Sequence, residues 1–245
     1  MKKYLLLFII FFSSSIINSC AVQTNIIKSM YDAKKSILKI ETWARLGECG
    51  EEIMTCDEYE LLSMGSGAVV LYDNKKTVLT AAHVCKRIKF ELFIQKEKGN
   101  FYLKAIDRSN KEYIIKVIKY DIETDLCLLE SISGALEPGY IKISPKKPEY
   151  SEITYNLGVP MGIIEEGMVP IFQGQFFGDS EGSAFYSTPA IGGSSGSPIL
   201  NFKGELVGMI HSVHHRFHHI SLSATYDQLW NFLTIPQNYT LEFLN

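Results

Sequence analysis

From Met64 onward, short apolar runs rich in β-branched and aromatic residues alternate with polar, turn-forming clusters, the pattern of strands joined by tight connections. "SGAVVLYDNKKTVLTAA" holds two such runs around Asp73-Asn74-Lys75-Lys76. "FELFIQ", "FYLKAID", "YIIKVIKY" and "LCLLESI" follow. Residues 133–150 are rich in Gly, Pro and Lys and predict a connector. Beyond it come "ITYNLGV", "PIFQGQFF", "SAFYSTP", "SPILNF" and "ELVGMIHSV", the last two separated by a turn-like Asn201-Phe202-Lys203-Gly204. The tail "TYDQLWNFL" spaces its apolar residues as a short terminal helix would. Upstream, "IIKSMYDAKKSILKIETW" reads as an amphipathic helix, and a polar loop carries Cys49 and Cys56. Two groups of short strands, one connector and little helix predict an all-β chain of two packed antiparallel barrels or sandwiches.

The 245 residues are 46% hydrophobic, enough for a sizeable core. Net charge is −3, with no basic block and no aromatic-basic interleaving, so a nucleic-acid partner is not expected. Lys2-Lys3 precede an apolar run from Tyr4 to Phe12 that is too short for a stable membrane span and is flanked like a secretory signal. Removing residues 1–20 takes away two lysines and no acid, leaving a charge of −5. "IINSC" resembles the lipobox of bacterial lipoproteins, with Ile17, Ser19 and then Cys20 as the acylated residue. Asn18 fits that pattern poorly, and ordinary cleavage near Ser19 or Ala21 is the alternative. Setting Cys20 aside leaves Cys49, Cys56, Cys85 and Cys127, an even number in an exported chain.

Three short stretches carry candidate chemistry. "TVLTAAHVC" ends a β run in small residues that leave room around His83. "TDLCLLE" places Asp125 immediately before an apolar strand. "IGGSSGSPIL" sets Ser194, Ser195 and Ser197 among glycines; a flexible linker would not run straight into a hairpin, so these glycines lie inside a fold. Singly, each has a bland explanation: a satisfied histidine, a strand-start acid, a loop. Together they supply what acyl transfer requires, a hydroxyl nucleophile, an imidazole base and a carboxylate that fixes its tautomer. The order His83, Asp125, Ser195 is one of the known chain orders for this machinery.

In these stretches the chain resembles trypsin-like serine proteases of the two-barrel fold, over about residues 60 to 233. "TAAH" matches the segment around the family's catalytic histidine, "DLCLL" that around its aspartate, and "GSSGSP" the nucleophile segment. "NLGVPMG" resembles a bend of the bacterial branch, and "SGSPILNFKGELVG" looks like glutamyl endopeptidases in particular. The resemblance implies two six-stranded antiparallel β-barrels with a short C-terminal helix. It implies Ser195 as nucleophile, with Gly193 and Ser195 giving the oxyanion-hole N–H groups. Digestive members are activated when a new N-terminus pairs with an acid before the nucleophile. That position is Ser194 here and no "IVGG"-like start is present, so other contacts must hold the site. The peptide-binding domain that follows the protease in many stress proteases is not expected here.

The expected layout is a signal at 1–20, a tether of helix and loop at 21–60, a peptidase domain at 61–235 and a tail at 236–245. Within the domain, barrel 1 is expected at about 61–132 and barrel 2 at about 150–225. The expected activity is that of a secreted or lipid-anchored serine endopeptidase acting on proteins or peptides, exported to the cell envelope or beyond. The alternative is a catalytically silent, peptide-binding or toxin-like member of the fold. Cys49–Cys56 would close a short loop; Cys85 and Cys127 each follow a triad residue by two positions, so they pair or stay as a free buried pair.

No cofactor is expected. His211, His214, His215, His218 and His219 fall within nine residues, and imidazole is a common zinc ligand. Neighbouring strand side chains face opposite sides, so a solvated loop is expected instead of a metal site. Glutamyl endopeptidases carry a hydroxyl residue five positions before the nucleophile and a histidine fifteen after it. Those positions hold Ala190 and Ile210, and His211 is one residue late unless a bulge intervenes. An apolar pocket walled by Ala190 and Val213 is expected, favouring small or medium uncharged side chains.

Overall fold

The computed structural model describes residues 24–45, 59–85, 100–214 and 216–236. Helix α1 (24–33) and a 3-10 turn (Lys34–Ser36) lead into two closed barrels. The first comprises β1 (Ile37–Arg45), β2 (Glu60–Tyr72), β3 (Lys75–Ala81), β4 (Asn100–Asp107), β5 (Glu112–Asp121) and β6 (Leu126–Ser131). It closes in the order β1-β2-β3-β6-β5-β4. The second comprises β7 (Ile153–Leu157), β8 (Ile171–Ser180), β9 (Ser183–Tyr186), β10 (Pro198–Leu200), β11 (Leu206–His214) and β12 (Phe217–Ala224). It closes as β10-β11-β12-β9-β8-β7.

The predicted turns lie where the turn residues stand. Asp73 and Asn74 both take left-handed backbone, φ 49° and 58°, as the tight β2–β3 hairpin demands. At the β10–β11 hairpin the Asn201 side chain accepts the Lys203 and Glu205 N–H groups, and Gly204 supplies a φ of 76°. The connector bridges both barrels, with Ile141 beside Val70 and Ile143 beside Leu206.

The N-terminal expectation needs correction. Barrel 1 begins at Ile37, not near residue 61, and residues 24–45 are packed structure instead of a tether. Among the described residues of this segment the helix covers 24 to 33, with Met30 and Ala33 buried. "ILKIETWAR" is β1, paired with β2 on one side and β4 on the other. The pattern permits a helix, but without this strand the barrel would expose two open edges. The predicted strand "FELFIQ" falls at 90–95, outside the described residues.

Helix α2 (Ala82–Cys85) follows β3 directly, and α3 (Tyr226–Thr234) ends the described chain. A capping box starts α3: Thr225 accepts the Gln228 N–H while the Gln228 side chain accepts the Thr225 N–H. Its other end is held from barrel 1. The buried Lys119 ammonium donates to the carbonyls of Phe232 and Ile235, 2.6 and 3.1 Å away, and lies against the rings of Tyr72 and Phe232. Burial pushes the pKa of Lys119 down, with Asp121 partly opposing.

Candidate active site

Strand register brings the first two chemical groups together. In the β3–β6 pair, Ala81 lies opposite Leu126, so the residues just past each strand end, Ala82–His83 and Asp125, are neighbours. The Ala82 N–H donates to the Asp125 carbonyl at 3.0 Å. Asp125 takes a left-handed φ of 54°, which aspartate tolerates better than most residues. Its carboxylate faces His83: Oδ1 accepts the His83 backbone N–H at 2.8 Å and Oδ2 lies 2.6 Å from Nδ1. Both carboxylate oxygens are thus spent on one residue, fixing the ring's position and placing the proton on Nδ1. The other ring nitrogen, Nε2, is left as an acceptor. Asp121 is occupied elsewhere, its carboxylate accepting the Glu123 and Thr124 N–H groups in the turn leading to Asp125.

Two residues beyond His83 and Asp125, Cys85 and Cys127 form a disulfide with Cα atoms 6.5 Å apart. It crosses the same β3–β6 junction and ties α2 to β6, the strand that Asp125 immediately precedes. Cys20, Cys49 and Cys56 lie outside the described residues.

The loop that carries Ser195 comes from barrel 2, between β9 and β10. The Ser194 N–H donates to the Ile191 carbonyl at 2.8 Å, and the Ser194 hydroxyl accepts the Ile191 N–H at 3.1 Å. This closes a tight turn at the position that carries an acid in the digestive proteases. The Gly192 carbonyl accepts the Met161 N–H at 2.8 Å. Carbonyl and N–H of one trans peptide point in opposite directions, so the Gly193 N–H turns away from Met161. The Ser194 carbonyl likewise accepts the Ser197 N–H at 3.0 Å, which turns the Ser195 N–H the other way. Among the described residues neither the Gly193 nor the Ser195 N–H has a protein acceptor. Two unspent donors beside a hydroxyl are what an oxyanion site needs.

Ser195 is half-buried, and its hydroxyl donates to the His211 carbonyl at 3.3 Å, not to His83. That bond is at the long end for O–H donors and is weak. His211 is the extra residue of a β-bulge: Ile210 pairs with Ser223, and Ser212 with Leu222. The bulge departs from the simple strand alternation, and the His211 imidazole feels the charges of Asp125 and His83. Burial lowers the pKa of His211, Asp125 pulls it up and His83 pushes it down. Its Nδ1 sits 2.9 Å from the Ser212 hydroxyl.

Ala190 and Ile210 are buried in the barrel 2 core with Tyr186, Ile199 and Val207, whereas Val213 is partly exposed. Beside them the Thr188 and Ser221 hydroxyls satisfy each other at 2.6 Å. Among the described residues no group of three or more His, Cys, Asp or Glu side chains converges to hold a metal ion; the side chains of His215 and His218 lie outside them.

Sequence reading missed Ser66. It lies in β2 of barrel 1 yet bonds to three segments, including the loop that carries Ser195. The only sequence signal was its place between two glycines, Gly65 and Gly67, which permit close approach.

The sequence profile of the trypsin-like peptidase domain matches residues 65–209, a span that includes His83, Asp125 and Ser195. Among solved structures, a serine endoprotease from Yersinia pestis superposes with a TM-score of 0.60 at 16% identity. The match covers 83% of this chain and 63% of that one, so the present chain spans less than two thirds of the Yersinia protein. The Mycobacterium tuberculosis H37Rv protein Rv3671c, solved as an inactive serine-to-alanine mutant, gives a TM-score of 0.59 at 16% identity. That match covers 86% of this chain and 93% of the other. At these identities the likeness is one of fold. No curated protein matches by sequence.

Proposed function

We infer the reaction from one premise: this chain belongs to the trypsin-like peptidase family, whose chemistry is serine-type peptide hydrolysis. His83, Asp125 and Ser195 are the residues we assign to it, with Gly193 and Ser195 N–H as the oxyanion donors. The single observation that carries the assignment is the Asp125 carboxylate gripping both the backbone and Nδ1 of His83. Among the described residues no other acid bonds to that ring.

In the proposed cycle the Ser195 hydroxyl leaves the weak His211 carbonyl bond, passes its proton to Nε2 of His83 and attacks the substrate carbonyl. The resulting oxyanion takes the two free N–H groups. The protonated His83 then gives its proton to the leaving amine, and water repeats the sequence on the acyl-enzyme. A fluorophosphonate probe tests the reading directly. Labelling of the wild type and none of Ser195→Ala is the expected result; folded wild type that takes no label would favour the catalytically silent alternative.

Specificity follows from the apolar surroundings. Ala190 and Ile210 offer no charge, and a buried unpaired charge is costly, so we propose cleavage after Ala, Val or Leu. Digestion of a peptide library should show those cuts dominating. Cuts after Glu would mean that the bulge at His211 turns that imidazole into the pocket.

We also propose export and acylation at Cys20, on the strength of "IINSC" and the cationic, apolar leader. Cys20 lies four positions before Thr24, the first described residue, so an acylated chain would hold barrel 1 close to the membrane surface. Incorporation of labelled palmitate, abolished in Cys20→Ala, is expected. Soluble, unlipidated protein in the medium would instead indicate ordinary secretion.

A further inference from the structure

Nothing in the Ser195 loop itself explains how the Gly193 N–H is kept aimed at the position where a substrate oxyanion would form. The loop lacks the buried acid of the digestive proteases, and glycine at φ 90° is free to rotate. The bend "GVPMG" at 158–162 lies against it: a Cβ on Gly193 would come within 2.7 Å of the Val159 carbonyl and 2.9 Å of the Met161 nitrogen. The bend belongs to the same barrel, so it could shift with the loop. A fixed reference must come from elsewhere.

Ser66 supplies one from barrel 1. Its hydroxyl donates to the Gly193 carbonyl at 2.7 Å and accepts the Val159 N–H at 2.8 Å, so one atom joins loop and bend. Its backbone N–H donates to the Ser195 carbonyl at 2.7 Å. Its own carbonyl accepts the Thr80 hydroxyl at 2.7 Å, which ties it to β3, the strand leading to His83. Ser66 is fully buried, so no water competes for these bonds.

We propose that Ser66 is a positioning residue for oxyanion stabilisation. Its hydroxyl pins the Gly193 carbonyl while Met161 pins the Gly192 carbonyl, and the Gly193 N–H between them has one direction left. The contact needs no proteolytic event, so the site is held competent without an activation salt bridge. The hydroxyl touches neither substrate nor the proton path. Its loss should therefore weaken the transition state and spare substrate binding.

This inference rests on the peptidase reading above, and wild-type turnover tests that reading separately. Ser66→Ala is compared with the wild type in kcat, KM, thermal midpoint and affinity for a peptide boronic acid, whose tetrahedral adduct uses the oxyanion site. Removing one oxyanion donor outright costs about 10²–10³-fold in kcat. A donor left in place but loosely aimed should cost about 10- to 100-fold, with boronate affinity falling alongside and KM within about threefold. Ser66→Cys, a weaker donor of similar shape, should fall between, and it serves as the test variant if Ser66→Ala does not fold. Unchanged kcat per folded molecule in either variant would overturn the proposal, as would a loss confined to KM or to the thermal midpoint.

Discussion

Asp125→Asn is expected to leave a folded protein with kcat lower by about 10⁴-fold. Asparagine keeps the shape and tolerates the left-handed backbone at this position, φ 54°, so the loop should survive. The two side-chain oxygens have different partners, and asparagine can replace only one of them. The backbone N–H of His83 can only donate, so the amide oxygen must stay opposite it. That leaves the NH₂ facing Nδ1, which must then be the unprotonated nitrogen. The proton moves to Nε2, and a protonated Nε2 cannot accept the proton of Ser195. Ser195→Ala should lose a comparable factor, and the two changes combined should cost little more than either alone because the triad acts as a unit. Steady-state kcat across pH 6–9 checks this. Near wild-type turnover in Asp125→Asn would move the orienting role to another acid, and Asp121 would first have to abandon its turn.

Gly196→Ala is expected to be worse for the molecule as a whole. A Cβ at Gly196 would fall 1.9 Å from the Ser66 carbonyl oxygen and 2.4 Å from the Thr80 hydroxyl, both in barrel 1. The residue also has φ 89°, where an L side chain is strained regardless of space. Relief requires β2 and the nucleophile loop to separate. Separation would break the bond from the Ser66 N–H to the Ser195 carbonyl and move the Gly193 peptide. Overpacking together with backbone strain at one fully buried contact should exceed about 4 kcal/mol, a large share of a domain's stability. Circular dichroism melts and probe labelling should show a protein that is largely unfolded at 37 °C or folded without activity. A melting midpoint within a few degrees of the wild type, with full labelling, would mean that the two barrels separate more easily than their contacts indicate.

What the sequence determined by itself was local. The hairpins at Asp73-Asn74 and Asn201-Gly204 were legible because turn chemistry is a property of neighbouring residues. Two groups of antiparallel strands were legible because most strands carry their own apolar pattern; that they close as barrels was implied only by the family resemblance. The candidates His83, Asp125 and Ser195 could be singled out because each sits in a short segment of distinctive composition. Register and closure, by contrast, belonged to the tertiary structure. The segment from Ile37 to Arg45 supports either helical or strand periodicity, and only the need to pair the edges of β2 and β4 makes it β1. The bulge at His211 exists because β11 and β12 differ by one residue over that span, a mismatch no single strand records. Ser66 is 127 residues from Gly193, and nothing near Ser66 in the chain marks the partner its hydroxyl meets. Local segments announce their own conformation through sterics and hydrogen bonding to near neighbours. Contacts between barrels are set by where closed sheets bring their surfaces, and that is decided only when the whole chain has packed.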